Sequence, residues 1–457
     1  MNGNRIPYEA KPRILILTDI GGDPDDQQSL VRLLVHADLF DLEGIIPEHW
    51  TPPEHAITPE QQMDLVMRYV EAYAQVLPSL LKHAGSYPTA DHVSGVVKRG
   101  VTHVPFALDT GGKSEDGMED LIGPGKDTQG SDWIIQVVDK DDARPVDISV
   151  WGGTADLAQA LWKVRETRSD ADVALFLSKI RVHAISDQDA TSIWIKETFP
   201  TLFYVFNHAR NGDKWTSCYR GMFKNGDESL TSREWVNGHV RQGHGALGAL
   251  YPDETSTGPN PFRCLKEGDT PSWFYFLHNG LQDPWHPEHG GWGGRFTRNG
   301  TCFQDAEDTI GKDCDGTVAT WRWRPAFQNE FAARMDRCVN PYEAVNHPPV
   351  AVLNGDNSRH ILTIKALPGA DVPLCAEGSS DPDGNNLACS WWVYPEAGTY
   401  PGVIPVMDPN AFSSHLTIPM DASGTLIHVI LEITDDGSPC LTSYRRLIVH
   451  VTDNDRF

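Results

Sequence analysis

The stretch TDIGGDPDD, residues 18–26, places four carboxylates, Asp19, Asp23, Asp25 and Asp26, within eight positions, directly after the apolar run RILIL at 13–17. That run reads as a buried strand, so Asp19 stands where the strand ends. Asp25 and Asp26 open the amphipathic stretch that continues to Ala37. Carboxylates at a helix start meet free N–H groups and the positive end of the dipole, which accounts for one or two of the four. It does not account for Asp19, aimed at the same place from the strand. Carboxylates converging in a cleft repel one another unless protonated or held by a cation. A hard divalent ion such as calcium, which takes about six to eight oxygens, suits such a cluster. An EF-hand is excluded, because the twelfth position counted from Asp19 is Leu30, where that loop needs a bidentate Glu.

The elements that must position these acids follow a regular alternation. LEGII (42–46), VDISVW (146–151), KIRVHAIS (179–186) and TLFYVF (201–206) read as strands. Helical patterns lie between them at 58–77, 130–141 and 154–167, the first with a cap from Thr58, Pro59 and Gln61. Short apolar runs separated by helices predict an α/β fold with a mostly parallel, doubly wound sheet. In such sheets ligands bind at the carboxyl ends of the strands, where the acidic stretch lies. Residues 211–340 are Gly-, Trp- and Arg-rich and read as functional loops or a cap on the pocket. After VNHPPVAVLNG (345–355) short strands alternate with turn clusters, predicting an immunoglobulin-like, all-β sandwich. The expected division is therefore a catalytic domain over 1–344 and an accessory sandwich over 345–457, whose removal should leave the acidic site intact.

A net charge of -25, from 38 Lys and Arg against 63 Asp and Glu, argues against a nucleic-acid backbone as partner. No run approaches the ~20 apolar residues of a membrane span. The N-terminus lacks an apolar signal core, so a signal peptide is expected either to have been removed or never to have existed. Eight cysteines, all from residue 218 onward and without a CxxC pair, are compatible with disulfides and an extracellular or periplasmic setting, or with buried thiols. Fourteen tryptophans, several in Gly/Pro-rich stretches, suit the stacking of sugar rings or bases.

The strand followed by TDIGGDPDD resembles the acidic fingerprint of the nucleoside hydrolase superfamily, with a turn two residues longer than usual. VWGGTADLAQAL (150–161) resembles that family's Gly-rich turn into a helix. GPGKDTQGSDWII, ISDQDATSIWIKETFPTLFYVF, EGDTPSWFYFLHNGLQDP and GGWGGRF resemble a divergent branch of bacterial and fungal proteins described as cellulose-binding. These join a nucleoside-hydrolase-like domain to a C-terminal β-sandwich. The resemblance implies calcium held by Asp19, Asp26, the Ala155 carbonyl and a late Asp, taken as Asp269 rather than Asp283. It makes Asp19 the base for a metal-bound water and Asp25 a ligand of a sugar hydroxyl.

Glycosidic cleavage needs a nucleophile at the anomeric carbon and stabilisation of an oxocarbenium-like transition state. Direct attack by water inverts the anomeric centre. Asp187, Gln188 and Asp189 of SDQDA are candidate sugar ligands, or a cap for the next helix. Glu48 and Trp50 follow the second strand and should face the pocket. Asp156, Asn279, Asp283 and Trp292 complete the substrate candidates, with His278 and His286 as leaving-group acids or structural residues. SSDPDGNN (379–386) reads as a β-turn between strands or a calcium loop. Of Trp391 and Trp392, on alternate strand faces, at least one is expected in the core. The expectation is a calcium-dependent glycoside hydrolase acting on a saccharide, with a homodimer compatible. The alternatives are a nucleoside N-ribohydrolase and a non-catalytic carbohydrate-binding protein.

Overall fold

The computed structural model describes residues 10–48, 57–102, 118–253 and 264–452. Strand β1 (Arg13–Thr18) is buried along its whole length, with parallel neighbours on both sides, β2 (Asp41–Pro47) and β3 (Val146–Val150). The parallel series continues through β4 (Ile180–Ala184) and β5 (Phe203–Phe206). It ends in a hairpin of β6 (Phe296–Asn299) and β7 (Cys302–Asp305), in the order β2-β1-β3-β4-β5-β7-β6. Successive side chains of β1 feed opposite layers, as the pleat requires. Ile14 and Ile16 pack with Leu30, Leu34, Val66 and Phe274 on one face, and Leu15 and Leu17 with Val137, Leu157 and Ile195 on the other.

The first layer contains α1 (Asp25–Val35) and α2 (Pro59–His83). The second contains α3 (Gln129–Val138), α4 (Ala155–Thr167) and α5 (Ala190–Thr198). The cap read at Thr58 is a reciprocal capping box: Gln61 N donates to Thr58 Oγ1 at 3.2 Å and Thr58 N to Gln61 Oε1 at 2.7 Å. The short α6 (Thr270–Phe274) and the longer α7 (Arg324–Arg337) return to the first layer.

Beyond a small hairpin, β8 (Asp308–Ile310) with β9 (Asp313–Asp315), the chain enters a sandwich. One sheet comprises β10 (Leu362–Ala366), β12 (Leu387–Val393), β14 (Leu426–Asp435) and β15 (Thr442–Val451). The other pairs β11 (Asp371–Cys375) with β13 (Ser413–Thr417). Trp391 points into its core with Leu374, Leu416 and Leu431. Trp392 takes the opposite face and lies 5.6 Å, ring to ring, from Trp323.

The sandwich is not loosely tethered. Tyr394, Ile430 and Tyr444 share a core with Trp292, Trp323 and Phe327. Asp308 accepts from Arg295 Nε and Arg322 Nη1, each at 2.7 Å, and from the Tyr394 hydroxyl at 2.5 Å. The sandwich and the α/β part therefore share an interior. All eight cysteines are free thiols, and Cys218, Cys264, Cys302, Cys338 and Cys389 are buried. The disulfide framework compatible with the sequence is thus absent, and most thiols serve as small core residues.

Candidate metal centre

Burial makes the acidic turn unusual. Asp19 is 6% exposed, Asp26 3% and Asp269, which arrives from the start of α6, 3%. Carboxylate oxygens of Asp25, Asp26 and Asp269 lie within 4.8 Å of one another. Thr18 Oγ1 donates to Asp26 Oδ1 at 2.5 Å, so the end of β1 braces the start of α1. The Gly152–Gly153 turn after β3 closes the other side. A Cβ on Gly152 would lie 2.6 Å from Asp19 Oδ1, so only glycine lets that turn approach.

Such crowding raises the carboxyl pKa values. Burial pushes Asp19 up to about 6, partly offset by backbone hydrogen bonding, Asp26 and Lys266. Burial and then the Asp19 charge take Asp25 up to about 7. Asp26 and Asp269 are raised well above the carboxylate range by burial and by their acidic neighbours. Lys266, which sequence reasoning passed over, pairs with Asp23 and lies 3.6 Å from Asp25 Oδ2, and burial lowers it to about 8. One ammonium does not neutralise this group. Asp269 Oδ2 is buried and has no hydrogen-bond partner among the described residues. Clustered hard oxygens with an unused lone pair fit a divalent cation such as calcium.

The segment bearing Lys266 and Asp269 is fixed by a buried ion pair. Glu267 sits at φ +39° and takes Arg32 of α1 through Nε and, at 3.1 Å, Nη2. Tyr251 and Thr270 also donate to it, at 2.6 and 3.0 Å. Gly268 then passes so close that a Cβ there would lie 2.9 Å from Asp25 Oδ2 and 3.4 Å from the Tyr219 ring. Tyr219 and Arg220 therefore border the cluster, and the Arg220 charge acts on Asp25. No local motif announces either residue. Their loop is brought in by Asp305 at the end of β7, which accepts from Ser217 Oγ at 2.5 Å and Cys218 N at 3.0 Å.

The other candidates separate into three places. Glu48, Asp156 and Asp189 form a second acid group across the glycine turn: a Cβ on Gly153 would lie 2.3 Å from Asp189 Oδ2 and 3.2 Å from Glu48 Oε2. Glu48 Oε1 accepts from Asp156 N at 3.0 Å while Oε2 is buried without a partner among the described residues. Burial, then Asp156 and Asp189, raise Glu48 well above its usual range. Asp156 receives Val101 N at 2.8 Å and the Thr128 hydroxyl, tying loops together. Asp189 caps α5 through Thr191 N (2.8 Å) and Ser192 N (3.3 Å).

Gln188 bridges the carbonyls of Trp151 and Ile185, and Asp187 pairs with Lys196. SDQDA thus shapes the end of β4 through its own hydrogen bonds. Ala155 opens α4 just after the turn that Asp19 packs against. Trp50 lies outside the described residues.

Asn279 and Trp292 belong to a different place, whose lining includes none of Asp19, Asp25, Asp26 and Asp269. They line a cavity of about 560 Å³ between the α/β part and the sandwich, with Arg334, Tyr444 and Arg445. Trp292 is only 2% exposed. The glycines around it serve backbone packing: a Cβ on Gly293 would lie 2.5 Å from Tyr275 N. Asp283 caps a turn through Trp285 N at 2.9 Å. His278 lines the same cavity, and His286 stacks on His289, which packs against His428 of the sandwich. In SSDPDGNN, Asp381 accepts from the backbone N–H groups of Asp383 and Asn385, as in a turn.

Residues 13–296 match the family model described as cellulose-binding Sde182, nucleoside hydrolase-like domain. Residues 371–451 match that of the cellulose-binding protein Sde0182 C-terminal domain. A solved structure from Saccharophagus degradans, described as a nucleoside hydrolase-related hypothetical protein associated with carbohydrate metabolism, is 35% identical. That match covers 97% of this chain and 100% of the other, with a TM-score of 0.77. The effector protein XOO4466 aligns over 73% of this chain and 95% of its own at 11% identity, with a TM-score of 0.37. No curated protein matches the chain.

Proposed function

The chain belongs to the Sde182 family of cellulose-binding proteins with a nucleoside hydrolase-like domain, and from that premise we propose that it is a calcium-dependent glycoside hydrolase acting on a saccharide. The observation that carries the reading is the convergence of Asp25, Asp26 and Asp269, with Asp269 Oδ2 lacking a partner among the described residues, beside Asp19 at a strand end. Binding a glycan needs no such buried charge, whereas hydrolysis needs a base and an electrostatic environment for an oxocarbenium-like transition state.

Calcium would be held by Asp19, Asp26, Asp269 and the Ala155 carbonyl, with Asp25 in reach. When bound, it would lower the pKa of a water ligand and fix its position. Asp19 accepts the proton of the attacking water. Asp25, at the mouth beside Tyr219 and Lys266, holds a sugar hydroxyl. The surrounding carboxylates stabilise positive charge as the leaving group departs. Attack by water on the face opposite the leaving group inverts the anomeric carbon.

The family description also supports a second reading, a carbohydrate-binding protein that uses calcium for structure alone. Either reading suits an extracellular or periplasmic setting, and among the described residues no helix is long and apolar enough to cross a membrane. The test is hydrolysis of aryl furanosides, aryl pyranosides, cello-oligosaccharides and nucleosides, with calcium and with EDTA. Calcium-dependent release of an inverted sugar, read by NMR before mutarotation, supports the proposal. Release from nucleosides alone would make the enzyme an N-ribohydrolase. Glycan binding without turnover would favour the second reading.

A further inference from the structure

Trp215 exposes 48% of its surface. The ring is not on a loose tip. Asp213 Oδ1 accepts Trp215 N at 3.0 Å, Asn211 Oδ1 accepts Asp213 N at 2.9 Å and the Thr216 hydroxyl at 3.0 Å, and Lys224 Nζ donates to the Trp215 carbonyl at 2.8 Å. The next residue, Ser217, is anchored to Asp305 at the end of β7. These bonds fix the backbone at Trp215, while Lys224 Nζ and Lys214 Nζ lie 5.7 and 6.0 Å from its ring centroid, and a ring placed so is pre-organised for a ligand.

Its position gives the direction of that ligand. The Arg220 guanidinium carbon lies 4.3 Å from the Trp215 ring and 4.7 Å from the Tyr219 ring, so it links the indole to the border of the acid cluster. Arg220 Nε donates to the Lys214 carbonyl at 2.7 Å, while its two terminal nitrogens make no hydrogen bond among the described residues. Trp285, comparably exposed, packs against Phe203 and Arg181 at the opposite, amino ends of the strands. Only Trp215 of this pair is continuous with the acids.

We infer that Trp215 and Arg220 form an outer saccharide subsite, in which the indole receives the C–H face of a pyranose ring and the Arg220 terminal nitrogens donate to its hydroxyl oxygens. The substrate is then a glycan chain that runs from the acid cluster outward over Trp215, and a nucleoside is too short to use this surface. The inference rests on the saccharide reading above for its inner end, but not on turnover.

The test is calorimetric titration of the full chain, in calcium, with cellohexaose, xylohexaose and mannohexaose, and with the disaccharide of whichever hexaose binds. Trp215→Ala should weaken hexaose binding about three- to tenfold, the scale of one aromatic contact, and leave disaccharide binding unchanged. Trp215→Phe should restore most of the loss, and Arg220→Gln should weaken the hexaose similarly. Unchanged thermal melting of each variant excludes a folding defect, which the exposure of Trp215 makes the expected result. Equal hexaose affinity in Trp215→Ala and wild type overturns the inference, as does wild type that binds none of the three hexaoses. Hexaose binding that depends on Trp215 in a protein without turnover would leave this subsite standing and remove the hydrolase proposal.

Discussion

Lys266 Nζ lies 3.6 Å from Asp25 Oδ2 while pairing with Asp23, so an ammonium is built into the rim of the acid cluster. A fixed positive charge at that range opposes entry of a divalent cation. Lys266→Gln should therefore bind calcium more tightly, by about tenfold given the partial screening of such a pair. Calorimetric calcium titration of the two proteins checks this, and weaker binding by the variant would mean that Lys266 organises the site instead.

The raised carboxyl groups give the calcium-free protein a defined pH response. Asp19 and Asp25 titrate near about 6 and about 7 in the folded chain, above the usual value of 3.8. Between pH 4 and 7 the folded state thus holds more protons than the unfolded one, and stability falls as pH rises through that window. Under the proposal calcium binds the ionised form and offsets the loss. The rise in melting temperature on adding calcium should be larger at pH 8 than at pH 5; equal rises would show that these acids do not hold the ion.

Arg32 and Glu267 are both fully buried and tie α1 to the segment carrying Asp269. Removing one partner leaves the other charge unpaired in the interior. Arg32→Met should cost about 3–5 kcal/mol in denaturant unfolding. It should also weaken calcium binding, because Asp269 loses its register against Asp26. A loss below about 1 kcal/mol would place the strain elsewhere.

The seam between the two parts predicts their interdependence. A chain ending at residue 344 would expose Trp292, Trp323 and Phe327, now covered by Tyr394 and Tyr444. We expect that shortened chain to melt at a lower temperature and to bind a hydrophobic dye. Full stability on truncation would show that the shared core contributes little.

Much of this arrangement is legible in the sequence, because it is local. The run RILIL alternates between two layers, Thr58 and Gln61 cap a helix, and Asp25 and Asp26 sit at a helix start, all within a few positions of their causes. Asp269 is legible only through the family resemblance of EGDTPSW, because no local pattern ties it to the acidic turn. Trp292 misleads, since glycines beside a ring suggest ligand access, and here they let the chain press against Tyr275 and Gln282. Asp189 takes the second of its two sequence readings, the helix cap, its oxygens being spent on α5 and Thr154. Tyr219, Arg220 and Lys266 reach the cluster through contacts with Asp305, Asp23 and Asp25 far away in the chain, and no periodicity encodes such contacts.

Asp19→Asn tests the account most directly. The change is nearly isosteric, but an amide accepts no proton from attacking water. With calcium in excess, so that occupancy is not the variable, turnover of the best saccharide substrate should fall at least ~10²-fold, the lower end of what a general base contributes. Turnover close to that of wild type under the same conditions would contradict the assignment of Asp19 as the base, and with it the proposed chemistry of the cluster.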